Sequence, residues 1–207
     1  MSSDNDNPVL SSGRRARKRQ QTADHLADCA WQLFTRLGYE QVSMERIAEQ
    51  ADVAKATLYK HFPVKAALLS YRFHRELAEH WPAIEQQLSV LPSAEAQLRV
   101  FFQHSAAWSE AHKPYLRAYL ELRLSELSHT PAQQRSGFEG IFTQLLRCGQ
   151  QRGDVIPQCD PLQLAHYLQF LHLACVMRWL GASTSLSLAA EFDAMVTLFF
   201  NGIRSRP

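Results

Sequence analysis

Ser43-Met-Glu-Arg-Ile-Ala-Glu-Gln-Ala-Asp-Val-Ala-Lys-Ala-Thr-Leu-Tyr-Lys-His-Phe-Pro-Val-Lys65 reads as two short helices joined by a tight turn. Ser43 is placed to cap a first helix that turns Ile47, Ala48 and Ala51 inward, and Asp52-Val53 supplies the turn and an apolar plug. The second helix carries Leu58 and Phe62 inward and Lys55, Thr57, Tyr59, Lys60 and His61 on its other sides, after which Pro63 suits the first turn of a further helix. Small Ala48 and Ala51 allow close, steep crossing, and the outward residues are donors suited to phosphates and base edges. The pattern is a helix-turn-helix with the chemistry of a DNA reader.

Working outward, a helix is expected from about Gln20 to Leu37, with Leu26, Ala30, Leu33, Phe34 and Leu37 on one stripe and Gly38 as its stop. Before it, Arg14, Arg15, Arg17, Lys18 and Arg19 follow a polar leader, so residues 1–19 are expected to form a disordered basic arm that can follow phosphates or enter a minor groove. On the other side a fourth helix starts near Pro63 and runs through Leu68, Leu69, Phe73, Leu77 and Trp81 to Pro82. Prolines then mark further helix starts at Pro92-Ser93, Pro114, Thr130-Pro131 and Asp160-Pro161. No alternating strand pattern or internal repeat occurs, so the expected class is all-α with about nine helices. The expected division is 20–66 for DNA binding and 67–207 for effector binding and dimerisation.

At 207 residues, 46% hydrophobic and 20% charged, the chain is long enough for one sizeable core and a small appended module. A formal net charge of +2 is too mild to indicate a nucleic-acid partner by itself, so the clustering of the charge carries that reading. Cys29, Cys148, Cys159 and Cys175 show no metal-ligand spacing; no metal or cofactor is expected, and Cys29 and Cys175 read as small buried hydrophobes. With no run of about 20 apolar residues and no apolar leader, a cytoplasmic protein without a membrane partner is expected.

Gly38-Tyr39, Ser43, Ile47-Ala48, Ala51, Val53, Thr57-Leu58-Tyr59, His61-Phe62 and Lys65 together resemble the amino-terminal signature of TetR/AcrR-type transcriptional regulators. The resemblance covers roughly residues 22 to 69. It implies that Tyr59, His61 and Lys65 contact phosphates and that Ser43 holds one through its hydroxyl and nearby helix amides. Lys55 and Thr57 are the residues assigned to base edges, because lysine reaches guanine acceptors and the threonine methyl meets a thymine methyl; Lys60 suits either backbone or bases. Three positions depart from the family pattern: Asp52 and Ala56 stand where Gly is usual, and Ala54 where a capping Ser or Thr is common. Asp tolerates a left-handed backbone, Ala favours helix over Gly by roughly 1 kcal/mol, and the missing cap costs on the order of 1 kcal/mol. The motif is therefore expected to fold.

The carboxy-terminal half carries no diagnostic motif, and whether its bundle holds a pocket is open from sequence. Phe101, His104, Trp108, Tyr119, Phe142, Phe170 and Arg178 are the candidates for contact with a small apolar or aromatic effector. Aromatics at helical spacing are more often core, and Arg178 in an otherwise apolar helix must either pair with a glutamate or face a ligand. Residues 162–180 are apolar on nearly every side, and 186–203 form one wide apolar stripe. Leu171, Leu188, Phe192, Val196, Phe199 and Phe200 are accordingly expected at a homodimer interface, in agreement with the symmetric dimer that the resemblance implies. The leading expectation is a ligand-responsive regulator, most readily a repressor, bound to a palindromic double-stranded operator and released by its effector. An effector-independent architectural binder is the alternative. An enzyme fused to a DNA module is the third reading, opposed by the lack of any nucleophile elbow, phosphate loop or metal-binding motif.

Overall fold

The computed structural model describes residues 8–129, 138–183 and 185–203. Among them lie nine helices and no strand: α1 (Pro8–Leu37), α2 (Met44–Gln50), α3 (Lys55–His61), α4 (Lys65–Ser89), α5 (Ala94–Ala111), α6 (Lys113–His129), α7 (Glu139–Arg152), α8 (Pro161–Gly181) and α9 (Leu188–Ile203). The helix start expected at Thr130-Pro131 and the first seven residues of the expected arm lie outside the described residues.

The chain divides into two compact units that part within α4, after Arg75. In the first unit, α1 presents Leu26, Ala30, Leu33 and Phe34 to a core completed by Ile47, Ala48, Ala51, Leu58, Phe62, Leu68, Leu69 and Phe73. Local signals act as their chemistry requires. The Ser43 hydroxyl accepts from the Arg46 amide at 3.2 Å, capping α2, whereas α3 starts at Ala54 with no side-chain cap. Asp52 adopts φ 51°, the left-handed turn conformation that a short polar side chain tolerates.

Two boundaries differ from the sequence expectation. Helix α1 begins at Pro8, so residues 8–19 are helical and the basic cluster rides on a helix in place of a disordered arm. Arg, Lys and Gln are good helix formers, and the run 14–21 contains no breaker after Gly13. Helix α4 passes through Pro82 and ends only at Ser89. Pro82 itself is exposed, while Trp81 and Ile84 on either side of it pack against the core that buries Leu88, and this packing outweighs one lost helical bond.

In the second unit, α5, α7, α8 and α9 supply most of one continuous core running from Leu88 to Phe200. Capping again follows sequence: Ser93 accepts from the Ala96 amide at 3.1 Å, Asp160 from the Leu162 amide at 3.1 Å, and Gly153 closes α7 at φ 83°.

Candidate nucleic-acid interface and effector site

Helix α3 owes its orientation to Leu58, which is fully buried and fixes Lys55, Tyr59 and Lys60 on the exposed side. Thr57 and His61 are half-buried at the flanks. The Tyr59 hydroxyl reaches Glu45 Oε1 at 3.5 Å, which brings Tyr59 beside the start of α2, whose cap is Ser43. Burial, followed by the positive charges of Arg19 and Lys60, holds the His61 imidazole below its usual pKa. Arg19 of α1 therefore lies close to the end of α3, and exposed Arg15, Arg17 and Lys18 continue the same positive run along α1. One surface thus combines hydroxyl, imidazole, ammonium and guanidinium donors, the set that phosphates and base edges require.

Lys65 is placed differently from the expected phosphate contact. Its ammonium donates to the carbonyls of Tyr39 at 2.7 Å and Val42 at 2.9 Å, and burial lowers its pKa. It fastens α4 to the loop between α1 and α2. Another seam escaped the sequence reading: the Tyr71 hydroxyl donates to Asp24 at 2.7 Å, while Arg75 binds Asp24 at 3.2 Å and also Asp28. Burial and then the bond to Asp24 push the Tyr71 phenol up to about 12. The legible signal was two pairs at helical spacing, Asp24 with Asp28 and Tyr71 with Arg75.

Of the expected effector residues, Phe101 and Phe142 are buried core rings 5.3 Å apart, edge to face. Trp108 and Tyr119 are only partly covered; the Trp108 indole N–H donates to Glu76 Oε1 at 2.9 Å, tying α5 to the second-unit part of α4. Three expected contacts point elsewhere. His104 is exposed and bonded to Gln87 at 2.8 Å, Phe170 is 51% exposed, and Arg178 is exposed and paired with Glu191 at 3.2 Å. Arg178 thus takes the glutamate alternative, because it sits on the outer side of α8 where its guanidinium keeps its water. A recess of about 350 Å³ among Ser93, Glu95, Asp154 and Phe200 contains none of the expected effector residues.

His172 was not among the expected effector residues. It joins Phe102, Phe138 and Phe192, and burial brings its pKa down to about 4, so the imidazole is neutral at ordinary pH. Burial likewise raises the Cys29 and Cys175 thiols, which leaves both protonated.

The expected dimer stripe is corrected. Leu188, Phe192, Val196, Phe199 and Phe200 are all buried within the protomer, and Leu171 is largely covered, because the apolar stripe of α9 packs on α5 and α8. The exposed apolar line lies instead on α8, at Tyr167, Phe170, Ala174 and Met177, with Leu198 70% exposed on α9. Among the described residues, no helix is long and apolar enough to cross a membrane and no cluster of potential metal ligands occurs.

Residues 26–71 match the family model for bacterial regulatory proteins, tetR family. The chain is 25% identical over 185 residues to the fatty acid metabolism regulator protein of Bacillus subtilis, covering 87% of this chain and 95% of that protein. A 67-residue stretch is 40% identical to the HTH-type transcriptional repressor KstR of Rhodococcus jostii, 32% of this chain and 30% of that one. Among solved structures, FadR of Thermus thermophilus, a TetR family repressor in complex with lauroyl-CoA, superposes with TM-score 0.75 at 20% identity, over 89% of this chain and 96% of that chain. FadR of Bacillus subtilis in complex with stearoyl-CoA gives 0.58 at 18% identity, over 87% and 98%. At these identities the superpositions show a common fold.

Proposed function

Because this chain is a TetR-type transcriptional regulator, we propose that it is a cytoplasmic, ligand-responsive repressor that binds a palindromic operator as a homodimer and is released by a small apolar effector. The observation that carries the reading is the exposed donor face of α3 with Arg19 beside His61. In this reading Lys55 and Thr57 meet base edges, Lys60 meets backbone or bases, and Ser43, Tyr59, His61, Arg17, Lys18 and Arg19 position the protein on phosphates. Two copies join through the exposed line Tyr167, Phe170, Ala174 and Met177 with Leu198, since a monomer leaving that face bare would carry an unusually large apolar patch.

The effector is taken to be a long-chain acyl compound, by likeness to a fatty acid metabolism regulator and to repressors described with lauroyl-CoA and stearoyl-CoA. Effector and operator then compete through one equilibrium, each weakening the other by the same factor, and no reaction is catalysed. Selection of bound sequences from random duplex DNA should return a palindrome, and lauroyl-CoA should release that duplex; recovery of no common sequence sinks specific dimeric binding. The tight packing of Phe101 on Phe142 favours, as a second reading, an effector-independent dimeric binder. Release tells the two apart.

A further inference from the structure

We propose that Glu45 reads DNA: its carboxylate accepts from the exocyclic amine of a cytosine in the major groove, while Lys55 beside it donates to the guanine paired with that cytosine. The inference rests on the operator-binding reading above and adds a residue of α2 and the base pair that it selects.

The exposed residues of α3 share one side of the helix. At about 3.6 residues per turn, Lys55 and Tyr59 stand on adjacent turns, with Ala56 and Lys60 next to them and Leu58 turned into the core. Glu45, in the first turn of α2, lies against the edge that Lys55 and Tyr59 form. Its Oε1 is 3.5 Å from the Tyr59 hydroxyl, and the charge of Lys55 acts on the carboxylate. The carboxyl is held below its usual range, first by its own backbone amide and then by Lys55 and by the Ser43 and Tyr59 hydroxyls, so Glu45 is ionised at neutral pH. Among the described residues Lys55 makes no ion pair, with Glu45 or any other, so its ammonium stays available. The first residues of a recognition helix are the ones that approach base edges, and Lys55 opens α3. Glu45 beside it therefore stands at the depth of the bases.

A carboxylate is out of place on a surface that only follows phosphates, because its charge opposes association with the DNA backbone. Base edges are different. Across the major groove a G·C pair presents the N7 and O6 acceptors of guanine and then the N4 amine of cytosine, a donor. An ammonium and a carboxylate side by side match that order. In an A·T pair the carboxylate would meet thymine O4, a second acceptor, and the match is lost. An acid in the first turn also stabilises α2 through the helix dipole, a role that needs no DNA. Chemically altered bases separate the two roles.

The test uses the full chain and the operator selected from random duplexes, with each cytosine replaced in turn by N4-methylcytosine, in which a methyl group takes the place of the amine hydrogen facing the major groove. Fluorescence anisotropy reads the affinity. Wild type should lose about tenfold at one cytosine of each half-site. Glu45→Ala should lose nothing from that replacement, and it should bind unrelated duplexes more tightly, because a charge that repels phosphates is gone. Replacing the guanine opposite with 7-deazaguanine should weaken wild type and leave Lys55→Ala unchanged. Tolerance of N4-methylcytosine at every position by wild type overturns base reading by Glu45, and this needs no variant. Sensitivity that survives in Glu45→Ala gives the amine to another residue and overturns it equally. Effects of the two analogues in different base pairs overturn the shared pair. Failure to select any common sequence removes the operator-binding reading itself, whereas a palindrome indifferent to N4-methylcytosine removes only the role of Glu45.

Discussion

The Lys65 ammonium lies 4.1 Å from the centre of the Tyr39 ring and donates to the carbonyl of that same residue at 2.7 Å. Both contacts, with the bond to Val42, spend a positive charge on holding a loop. Lys65→Met should therefore lower stability by roughly 1.5–3 kcal/mol in urea denaturation, as expected for losing hydrogen bonds from a charged donor. It should leave the salt dependence of DNA binding by the folded protein unchanged. Lys60→Ala should do the reverse, with stability intact and the slope of log affinity against log salt reduced by about 0.9. Equal slope changes in the two variants would return Lys65 to the phosphate contacts.

Exposed Lys55 at the start of α3 has a different expected signature from Tyr59 and His61. Lys55→Ala should reduce discrimination at one base position by roughly 1–3 kcal/mol. Tyr59→Phe and His61→Ala should weaken specific and unrelated duplexes by similar factors. Competition binding against single-base operator variants reads both outcomes, and uniform losses for all three variants would remove base reading from Lys55.

Phe170 and Leu198 are exposed while Phe192 and Val196 are buried, so the two faces of the α8 and α9 pair separate association from folding. Phe170→Glu with Leu198→Glu should give a folded monomer in sedimentation, with operator affinity lost. Phe192→Ala should instead unfold the second unit more easily, by about 3–5 kcal/mol, the usual cost of emptying a buried aromatic site. A dimeric Phe170→Glu, Leu198→Glu protein would place the interface on other helices.

These two faces also mark where sequence reading stopped. The spacing around Ser43, Leu58 and Phe62 located the helix-turn-helix, because small, apolar and donor residues each have one sterically workable side of a short helix. The α9 stripe was equally periodic, but period says only that Phe192, Val196 and Phe199 share a face. A protomer core and a subunit interface want the same residues, and the neighbouring helix decides. Residues 162–180 hid the real outer line because apolar side chains occupy almost every side of α8. Pro82 misled for a related reason: its local cost is set against burial of Leu88, a contact distant in sequence.

Burial of His172 has a consequence for stability as well. Its pKa is about 4 in the folded protein against about 6.5 in an unfolded chain, so below the latter value the unfolded state binds more protons. Stability from this residue is complete above pH 6.5 and is lost as pH falls through 4, by an amount on the order of 3 kcal/mol. His172→Phe should remove that part of the acid sensitivity. The comparison is urea denaturation of wild type and variant at pH 7 and pH 4.5, and parallel losses in both proteins would show that His172 does not carry it.

Close approach of the end of α7 to the start of α5 depends on Gly149. A Cβ there would stand 2.8 Å from both Ala94 Cβ and Val155 Cγ2, and the site is already fixed by Asp154 Oδ2, which accepts from the Ala94 amide at 2.6 Å. Alanine favours helix over glycine by roughly 1 kcal/mol, but overpacking a filled contact typically costs 1–3 kcal/mol. The two terms oppose each other, and neither neighbour is the free end of a long side chain. Gly149→Ala should therefore come out destabilised, by about 1 kcal/mol or more. Gly140, on the same helix, is exposed with nothing within 4 Å of an added Cβ. Gly140→Ala should raise stability by a few tenths to about 1 kcal/mol. Thermal melts of the two variants give opposite signs if packing against Ala94 and Val155 decides the matter, and a stabilised Gly149→Ala protein would mean that α5 and α7 yield there at little cost.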